Sequence, residues 1–130
     1  MMISTKGRYA LMIMSYVAEH QNDGPVSLKE IAENKGMGSK YLEIIVASLN
    51  KAGLIESSRG KNGGYRLNKP PEEYTLLSIL RVAEGSLAPV ACVESDFCTN
   101  SASCKTYKMW KELDDLIEDF LSTKTLADII

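Results

Sequence analysis

Apolar residues recur at helical spacing near the start of the chain and predict two helices there. Residues 5–21 carry apolar side chains at positions i, i+3, i+4 and i+7, which is typical of an amphipathic helix entered through Ser4 or Thr5. A second, short helix begins after Ser27, which has capping-box spacing to Glu30. The chain therefore begins with a support helix and a short helix, joined by an Asn-Asp-Gly-Pro turn.

A third helix follows a glycine-containing turn at residues 36–38. Ser39 is predicted to cap it, and Gly53 suits the left-handed position just past its end. Two short helices joined by such a turn, after a support helix, form a helix-turn-helix, whose second helix enters the major groove of DNA. The positions of this recognition helix that face away from its apolar stripe are Ser39, Lys40, Glu43, Ile44, Ala47 and Lys51.

The pattern then changes from helical to extended and predicts a β-hairpin. Short strands at residues 54–58 and 65–67 flank a glycine-rich tip. A hairpin directly after a recognition helix is a wing, and its tip carries Arg59 and Lys61. An arginine on such an arm suits the narrow, negative minor groove.

Two further helices are predicted in the second half of the chain. Thr75 caps the first, which ends at Gly85, and residues 86–104 then show no clear period. From about residue 105 to 122 the apolar residues Trp110, Leu113, Ile117 and Phe120 form an a/d seam. So wide a stripe predicts a dimerisation helix, with packing onto its own domain as the alternative.

Together these elements predict a mainly α fold with a small β-hairpin: a winged helix-turn-helix with a long C-terminal dimerisation helix. The Pro70-Pro71 pair is the predicted boundary between a DNA-binding domain (residues 1–70) and a region (71–130) holding a helix, a cysteine-containing sensor loop and the dimerisation helix. A length of 130 residues, 45% of them apolar, suits one compact unit per chain. Without a membrane span or a cationic leader, a cytoplasmic location is expected.

Charge divides the chain at the same boundary. The net charge of −2 conceals ten basic and six acidic residues before position 71, and five basic and eleven acidic residues from there on. The basic first part predicts a polyanionic partner, with a solvated surface of mixed charge as the alternative.

Three cysteines are the candidates for chemistry in the second part. Cys92, Cys98 and Cys104 are separated by five residues each and lie among charges and hydroxyls, which is not typical of core filling. Soft thiolates select zinc or iron-sulfur clusters. Zinc sites usually use closely spaced cysteine pairs, and none is present in the sequence, so a cluster held by one long loop is favoured. No fourth ligand is evident.

Other interpretations of the cysteines stay open. A disulfide would leave one thiol over and is disfavoured in a reducing compartment. A redox-reactive thiol is the second alternative, because a loop supplies access. A small redox enzyme is the third, but the chain lacks a C-x-x-C pair, a base partner and a cofactor loop, so no enzymatic activity is predicted.

The order and spacing of motifs along nearly the whole chain carry a family resemblance. The segments are residues 4–10 (STKGRYA), 24–32 (GPVSLKEIA), 40–43 (KYLE), 49–55 (LNKAGLI) and 59–67 (RGKNGGYRL), with the three cysteines and Trp110. In these segments the chain resembles the Rrf-two (Rrf2) family of bacterial winged-helix repressors, and especially its iron-sulfur cluster regulator (IscR-like) branch.

The resemblance implies a homodimer on a pseudo-palindromic DNA operator, with recognition helices in successive major grooves, wings in flanking minor grooves and the long helices paired. It also implies that Cys92, Cys98 and Cys104 hold a 2Fe-2S cluster or, as in nitric-oxide-sensing relatives, a 4Fe-4S cluster. The residues expected at DNA are Ser39, Lys40, Tyr41, Glu43 and Ile44 of the recognition helix, with Arg59 and Lys61 of the wing.

One position departs from the family pattern. Tyr107 stands three residues after the last cysteine, where the most similar cluster regulators have a histidine ligand, and Arg8 stands where other relatives have an acidic ligand. The remaining candidates for a fourth ligand are Glu94, Asp96, Tyr107 itself and an exogenous thiol or water. His20, the one histidine, is a poor candidate because it lies at the far end of the first helix.

The sequence thus predicts a DNA-binding transcription regulator, a repressor that senses iron-sulfur, redox or nitric-oxide status through a cluster. The alternative within the same class is a cluster-free regulator gated by a metabolite, a partner protein or thiol oxidation, for example of cysteine metabolism. A winged helix that binds protein rather than DNA is the last alternative, and the basic wing argues against it.

Overall fold

The computed structural model describes residues 3–94 and 102–130 and is mainly α-helical with one antiparallel hairpin. Its helices and strands are α1 (Thr5–His20), α2 (Leu28–Lys35), α3 (Ser39–Lys51), β1 (Ile55–Ser58), β2 (Gly64–Leu67), α4 (Leu76–Glu84), α5 (Ala91–Glu94) and α6 (Tyr107–Thr123), with 3₁₀ turns at Gln21–Asp23, Pro71–Glu73 and Leu126–Ile129. The predicted fold class, a winged helix-turn-helix with a long C-terminal helix, is confirmed.

Short polar side chains begin several of the helices, as their spacing predicts. Ser4 accepts from the Gly7 amide at the start of α1, and Ser27 accepts from the Glu30 amide at 3.1 Å at the start of α2. The other half of the predicted capping box is replaced, because the Glu30 carboxylate accepts a hydrogen bond from Tyr16 Oη at 3.2 Å. A side-chain hydrogen bond therefore connects the support helix to the first turn of α2.

The prediction that Ser39 caps α3 is wrong by one residue. Gly38 is the cap, and Ser39 is the first helical residue. The physical reason is that the Gly38 carbonyl, on extended backbone, already accepts the first helical hydrogen bond, from the Leu42 amide at 3.1 Å. The Ser39 side chain is exposed and available for an external contact.

Buried side chains from both parts of the chain form one core. Ile13 and Met14 of α1 pack with Leu42 of α3 at its centre, all with no exposed surface. Tyr74 and Leu126, from beyond the Pro70-Pro71 pair, are equally buried in the same cluster. The recognition helix therefore rests on a support that the acidic part of the chain helps to build.

The wing is held to the head by backbone pairing beyond its own two strands. Ile55 pairs with Leu67 and Ser58 with Gly64 in the hairpin. Val26, just before α2, also exchanges two backbone hydrogen bonds of 2.8 Å with Tyr65. β2 thus lies between β1 and the Val26 segment, which fixes the wing relative to the helix-turn-helix.

The segment after α6 returns to the start of α4. The Leu76 amide donates to the Lys124 carbonyl at 2.9 Å, and the Leu126 amide donates to the Tyr74 carbonyl at 2.8 Å. An ion pair between Arg81 and Glu118 joins α4 to α6. Among residues 3–94 and 102–130, no helix has the length and apolar character to span a membrane.

Candidate nucleic-acid interface and thiol segment

The recognition helix α3 has one buried and one exposed face, as predicted. Its apolar stripe (Leu42, Ile45, Val46, Leu49) is buried, whereas Ile44 is 54% exposed. An exposed isoleucine on this face can make an apolar contact with a thymine methyl group. The exposed residues of the predicted DNA contacts on this helix are Ser39, Lys40, Tyr41, Glu43 and Ile44.

Tyr41 has a partner that the sequence did not indicate. Its ring packs edge-to-face against the ring of Tyr9 in α1, with 5.7 Å between the centroids and 68° between the planes. Aromatic pairs in this geometry are mutually stabilising. The start of α3 is therefore oriented by α1 from 32 positions earlier in the sequence, a separation at which no local pattern indicates contact.

The tip of the wing presents uncompensated positive charge. Arg59, Lys61 and the strand residue Arg66 are all exposed. In the described ranges, the ion pairs involve the cations of Arg81 and Lys111 alone. Arg66 has Glu56 opposite it in the hairpin, whereas Arg59 and Lys61 have no carboxylate partner among the described residues. Such charges are available to phosphate oxygens or to a narrow minor groove.

Two of the three cysteines lie within the described residues, one on each side of the gap. Cys92 is a half-buried free thiol in α5, and Cys104 is an exposed free thiol shortly before α6. A hydrogen bond with the Thr106 hydroxyl, 3.4 Å from Sγ, lowers the pKa of Cys104, and the Thr106 and Tyr107 amides lower it further. Cys98 lies outside the described residues.

The candidates for a fourth ligand are not gathered round a thiol in the described part of the chain. Tyr107 is half-buried as the first residue of α6, Glu94 is exposed at the end of α5, and Asp96 lies outside the described residues. The His20 ring stacks on Tyr16 at 4.0 Å, with Nδ1 2.9 Å from the Tyr16 carbonyl oxygen. No three His, Cys, Asp or Glu side chains within 3–94 and 102–130 form a metal-binding group.

The chemistry of the donor set nevertheless suits an iron-sulfur cluster. Thiolates are the usual protein ligands of such clusters, and one exposed thiol with a lowered pKa is more readily deprotonated than an ordinary cysteine. Three cysteines supply three ligands, and a fourth has to come from another group.

An exposed recognition helix directly followed by a cationic hairpin, both supported by α1, defines a winged-helix transcription regulator. The chain belongs to the Rrf2 family, described as an iron-dependent transcriptional regulator, which it matches over residues 3–130. The family predicted from the sequence motifs is therefore confirmed.

Named relatives cover the whole chain. The HTH-type transcriptional regulator IscR of Erwinia tasmaniensis is 35% identical over 130 residues, which are 100% of this chain and 79% of that protein. CymR (YrzC), the global cysteine regulator of B. subtilis, superposes with a TM-score of 0.83 at 37% identity, over 99% of this chain and 95% of that one. The structure of IscR from T. potens superposes with a TM-score of 0.78 at 41% identity, over 99% of this chain and 85% of that one. The relatives are regulators rather than enzymes.

Proposed function

We propose that the protein is a sequence-specific repressor that binds a pseudo-palindromic DNA operator as a homodimer in the cytoplasm. The observation that carries the proposal is the exposed face of α3, followed directly by a wing whose tip cations have no carboxylate partner among the described residues. In this assignment residues 1–70 bind DNA, while residues 71–130 sense the signal and pair the two chains.

Each candidate contact has a role that follows from its chemistry. Lys40 and Lys61 supply salt-dependent affinity through phosphates, and Arg59 enters the minor groove. The Glu43 carboxylate accepts from a cytosine amino group in the major groove. The contacts at the start of the recognition helix, beside Glu43, are Ser39, Tyr41 and Ile44.

The first experiment tests DNA binding on duplexes selected by the wild-type protein from a random library. Arg59→Ala is expected to weaken affinity about tenfold and to relax preference at the flanks of the site. Lys108→Ala, an exposed position on α6, removes the same charge far along the chain from the wing and serves as control. Equal losses in the two variants would show that the wing acts only through net charge.

The signal enters through Cys92, Cys98 and Cys104, which hold an iron-sulfur cluster of the 2Fe-2S type rather than the 4Fe-4S type. Thiol chemistry, the family description as iron-dependent and the similarity to IscR support an iron-sulfur cluster at these residues, whatever its type. When bound, such a cluster supplies iron that reacts with oxidants or nitric oxide. We expect cluster binding to change the segment between α4 and α6 and, with it, the placement of the two DNA-binding heads.

A specific observation also favours the cluster-free alternative. Tyr107 occupies the position at which the most similar cluster regulators are expected to have a histidine, and the chain is as similar to the cysteine regulator CymR as to IscR. In that case DNA binding is controlled by oxidation of Cys104, an exposed thiol, or by a bound metabolite. The regulated genes would then be those of cysteine metabolism.

Anaerobic purification separates these two signals. The cluster proposal predicts a coloured protein with equal iron and acid-labile sulfide, and it predicts that Cys104→Ser loses both. Tyr107→His restores the family ligand and is expected to slow loss of iron to a chelator. Protein that stays colourless after reconstitution, yet changes operator affinity on thiol oxidation, would support the cluster-free regulator.

A further inference from the structure

We infer that Glu84 is a positioning residue that couples the cysteine-bearing segment to the DNA-binding head through the N-terminus of α1. The contact, called here the Glu84 link, consists of Glu84, Ser4 and Gly7. Its regulatory meaning rests on the proposed function, because it describes how a signal at the thiols reaches the recognition helix.

The Glu84 carboxylate completes the cap of α1. Its Oε1 accepts hydrogen bonds from the Ser4 amide at 2.8 Å and from the Ser4 hydroxyl at 2.6 Å. The same hydroxyl oxygen accepts from the Gly7 amide at 3.4 Å. A carboxylate, a hydroxyl and an amide are thus connected in series, and the negative charge lies where the helix dipole favours it.

Gly7 gives independent support for the link. It has no positive backbone φ, and glycine is a poor helix former, so the helix itself does not explain it. A Cβ at this position would overlap Glu84 Oε1. The residue therefore provides the space that the carboxylate occupies.

Glu84 also borders a cleft that it shares with α5. Glu84 is the last residue of α4, and Gly85, at φ +77°, turns the chain towards α5 and Cys92. The cleft, of about 690 Å³, is lined by Glu84 together with Val93 and Glu94 of α5. A shift of α5 thus changes the surroundings of the carboxylate that caps α1.

The route continues from α1 to the DNA-binding face. Tyr9 lies half a turn after Gly7 and packs against Tyr41 of the recognition helix. When α5 moves, Glu84 releases Ser4, the first turn of α1 loosens, and the support of Tyr41 weakens. Two side-chain contacts, Glu84 with Ser4 and Tyr9 with Tyr41, thus connect α4 to α3 by way of α1.

Hydrogen exchange at the Gly7 and Arg8 amides tests the link in the full-length protein. The probe is alkylation with N-ethylmaleimide, with modification of Cys92 verified by mass spectrometry. In the wild type, alkylation is expected to speed exchange about fivefold, the change that corresponds to loss of a helix cap. In Glu84→Ala these amides already exchange fast before alkylation, and alkylation is expected to change their exchange rate less than about twofold.

Three variants separate coupling from simple stabilisation. Glu84→Gln retains the accepting oxygen and is expected to keep the response. Gly7→Ala displaces the carboxylate while improving helix propensity, so it loses the response although α1 remains folded. Glu72→Ala, at an exposed position between the wing and α4, is the control and behaves as wild type.

Operator affinity measured on the same samples distinguishes the link from the proposed sensing function. The link is overturned if alkylation leaves amide exchange at Gly7 and Arg8 unchanged in the wild type. It is also overturned if alkylation speeds exchange in Glu84→Ala as much as in the wild type, even when operator affinity changes. Exchange that responds while affinity stays constant upholds the link and contradicts sensing through these thiols.

Discussion

Tyr74 joins the base of the wing to the core. Its ring is fully buried, and its hydroxyl accepts from the Asn68 amide at 3.1 Å. The one hydroxyl proton has two acceptors within reach, the Leu54 carbonyl at 2.9 Å and Asn68 Oδ1 at 2.8 Å. These partners lie at the entrance and the exit of the hairpin. One hydroxyl therefore closes the base of the wing, while the Lys69 ammonium covers the ring at 4.7 Å.

Tyr74→Phe is expected to destabilise the protein by about 1–3 kcal/mol, because the Leu54 carbonyl and Asn68 Oδ1 lose their shared donor in a buried place. Urea unfolding followed by circular dichroism measures the change. Tyr107→Phe, which alters a half-buried tyrosine of α6, is the control. Equal stability of the Tyr74 variant and the wild type would contradict this role.

Burial also raises the pKa of Tyr74 above its ordinary value of 10.0. The folded state thus holds this proton more tightly than the unfolded state, so the contribution to stability is complete below pH 10 and is lost as pH rises through the folded-state pKa. Urea midpoints of wild type and Tyr74→Phe between neutral pH and pH 11 test this. The difference between them should narrow only above about pH 10; a constant difference would contradict it.

At the scale of elements, the wing depends on a close backbone approach. Gly64 begins β2 beside Val26, and a Cβ there would lie 2.5 Å from the Val26 carbonyl oxygen. Backbone atoms cannot move aside as a flexible side chain can. The sequence pattern explains the glycines of the tip by the turn alone. Gly64 is also required because only a residue without a Cβ fits between the wing and the segment before α2.

Gly64→Ala is expected to cost about 1–3 kcal/mol and to separate β2 from Val26, because the added methyl group overpacks the contact. Amide exchange at Val26 and Tyr65, which are paired at 2.8 Å, reports the separation directly. Ser57→Ala on β1, an exposed position, is the control. Unchanged protection of both amides would show that the two segments tolerate the extra atom.

Local sequence signals predicted the elements well, because caps and periodicity act within a few residues. Ser27 and Thr75 begin their helices as expected, and Gly36 ends α2 in the left-handed conformation. The α3 cap was displaced to Gly38 because backbone geometry, not side-chain type, decided it. The contacts that orient the candidate site, such as Ser4 with Glu84, span 80 residues and have no local signature.

At the scale of the whole molecule, α6 presents an apolar face that the rest of the described chain does not cover. Leu116 is 66% exposed and Phe120 59% exposed. With Ile3 and Leu80 they line an apolar groove of about 310 Å³. This face is the surface on which the proposed dimer would pair, and the ion pair of Lys111 with Asp115 lies on the same helix.

Leu116→Glu is expected to weaken the proposed dimer by at least about tenfold, since burial of one leucine contributes about 1.5–3 kcal/mol and a charge there resists burial. Sedimentation velocity measures the dimer fraction against concentration. Asp119→Ala changes an exposed polar position on the same helix and is expected to leave the dimer intact. A dimer that survives Leu116→Glu would move the interface elsewhere.

Leu126 lies in the core that supports the recognition helix, and this has a consequence for synthesis of the protein. On the ribosome, α1 and α3 emerge early, but Leu126, one of the buried residues of their core, is translated only after α6 is complete. The head therefore acquires its full packing at the end of translation. Under the proposed function, a nascent chain without Leu126 is expected to bind DNA more weakly than the finished protein.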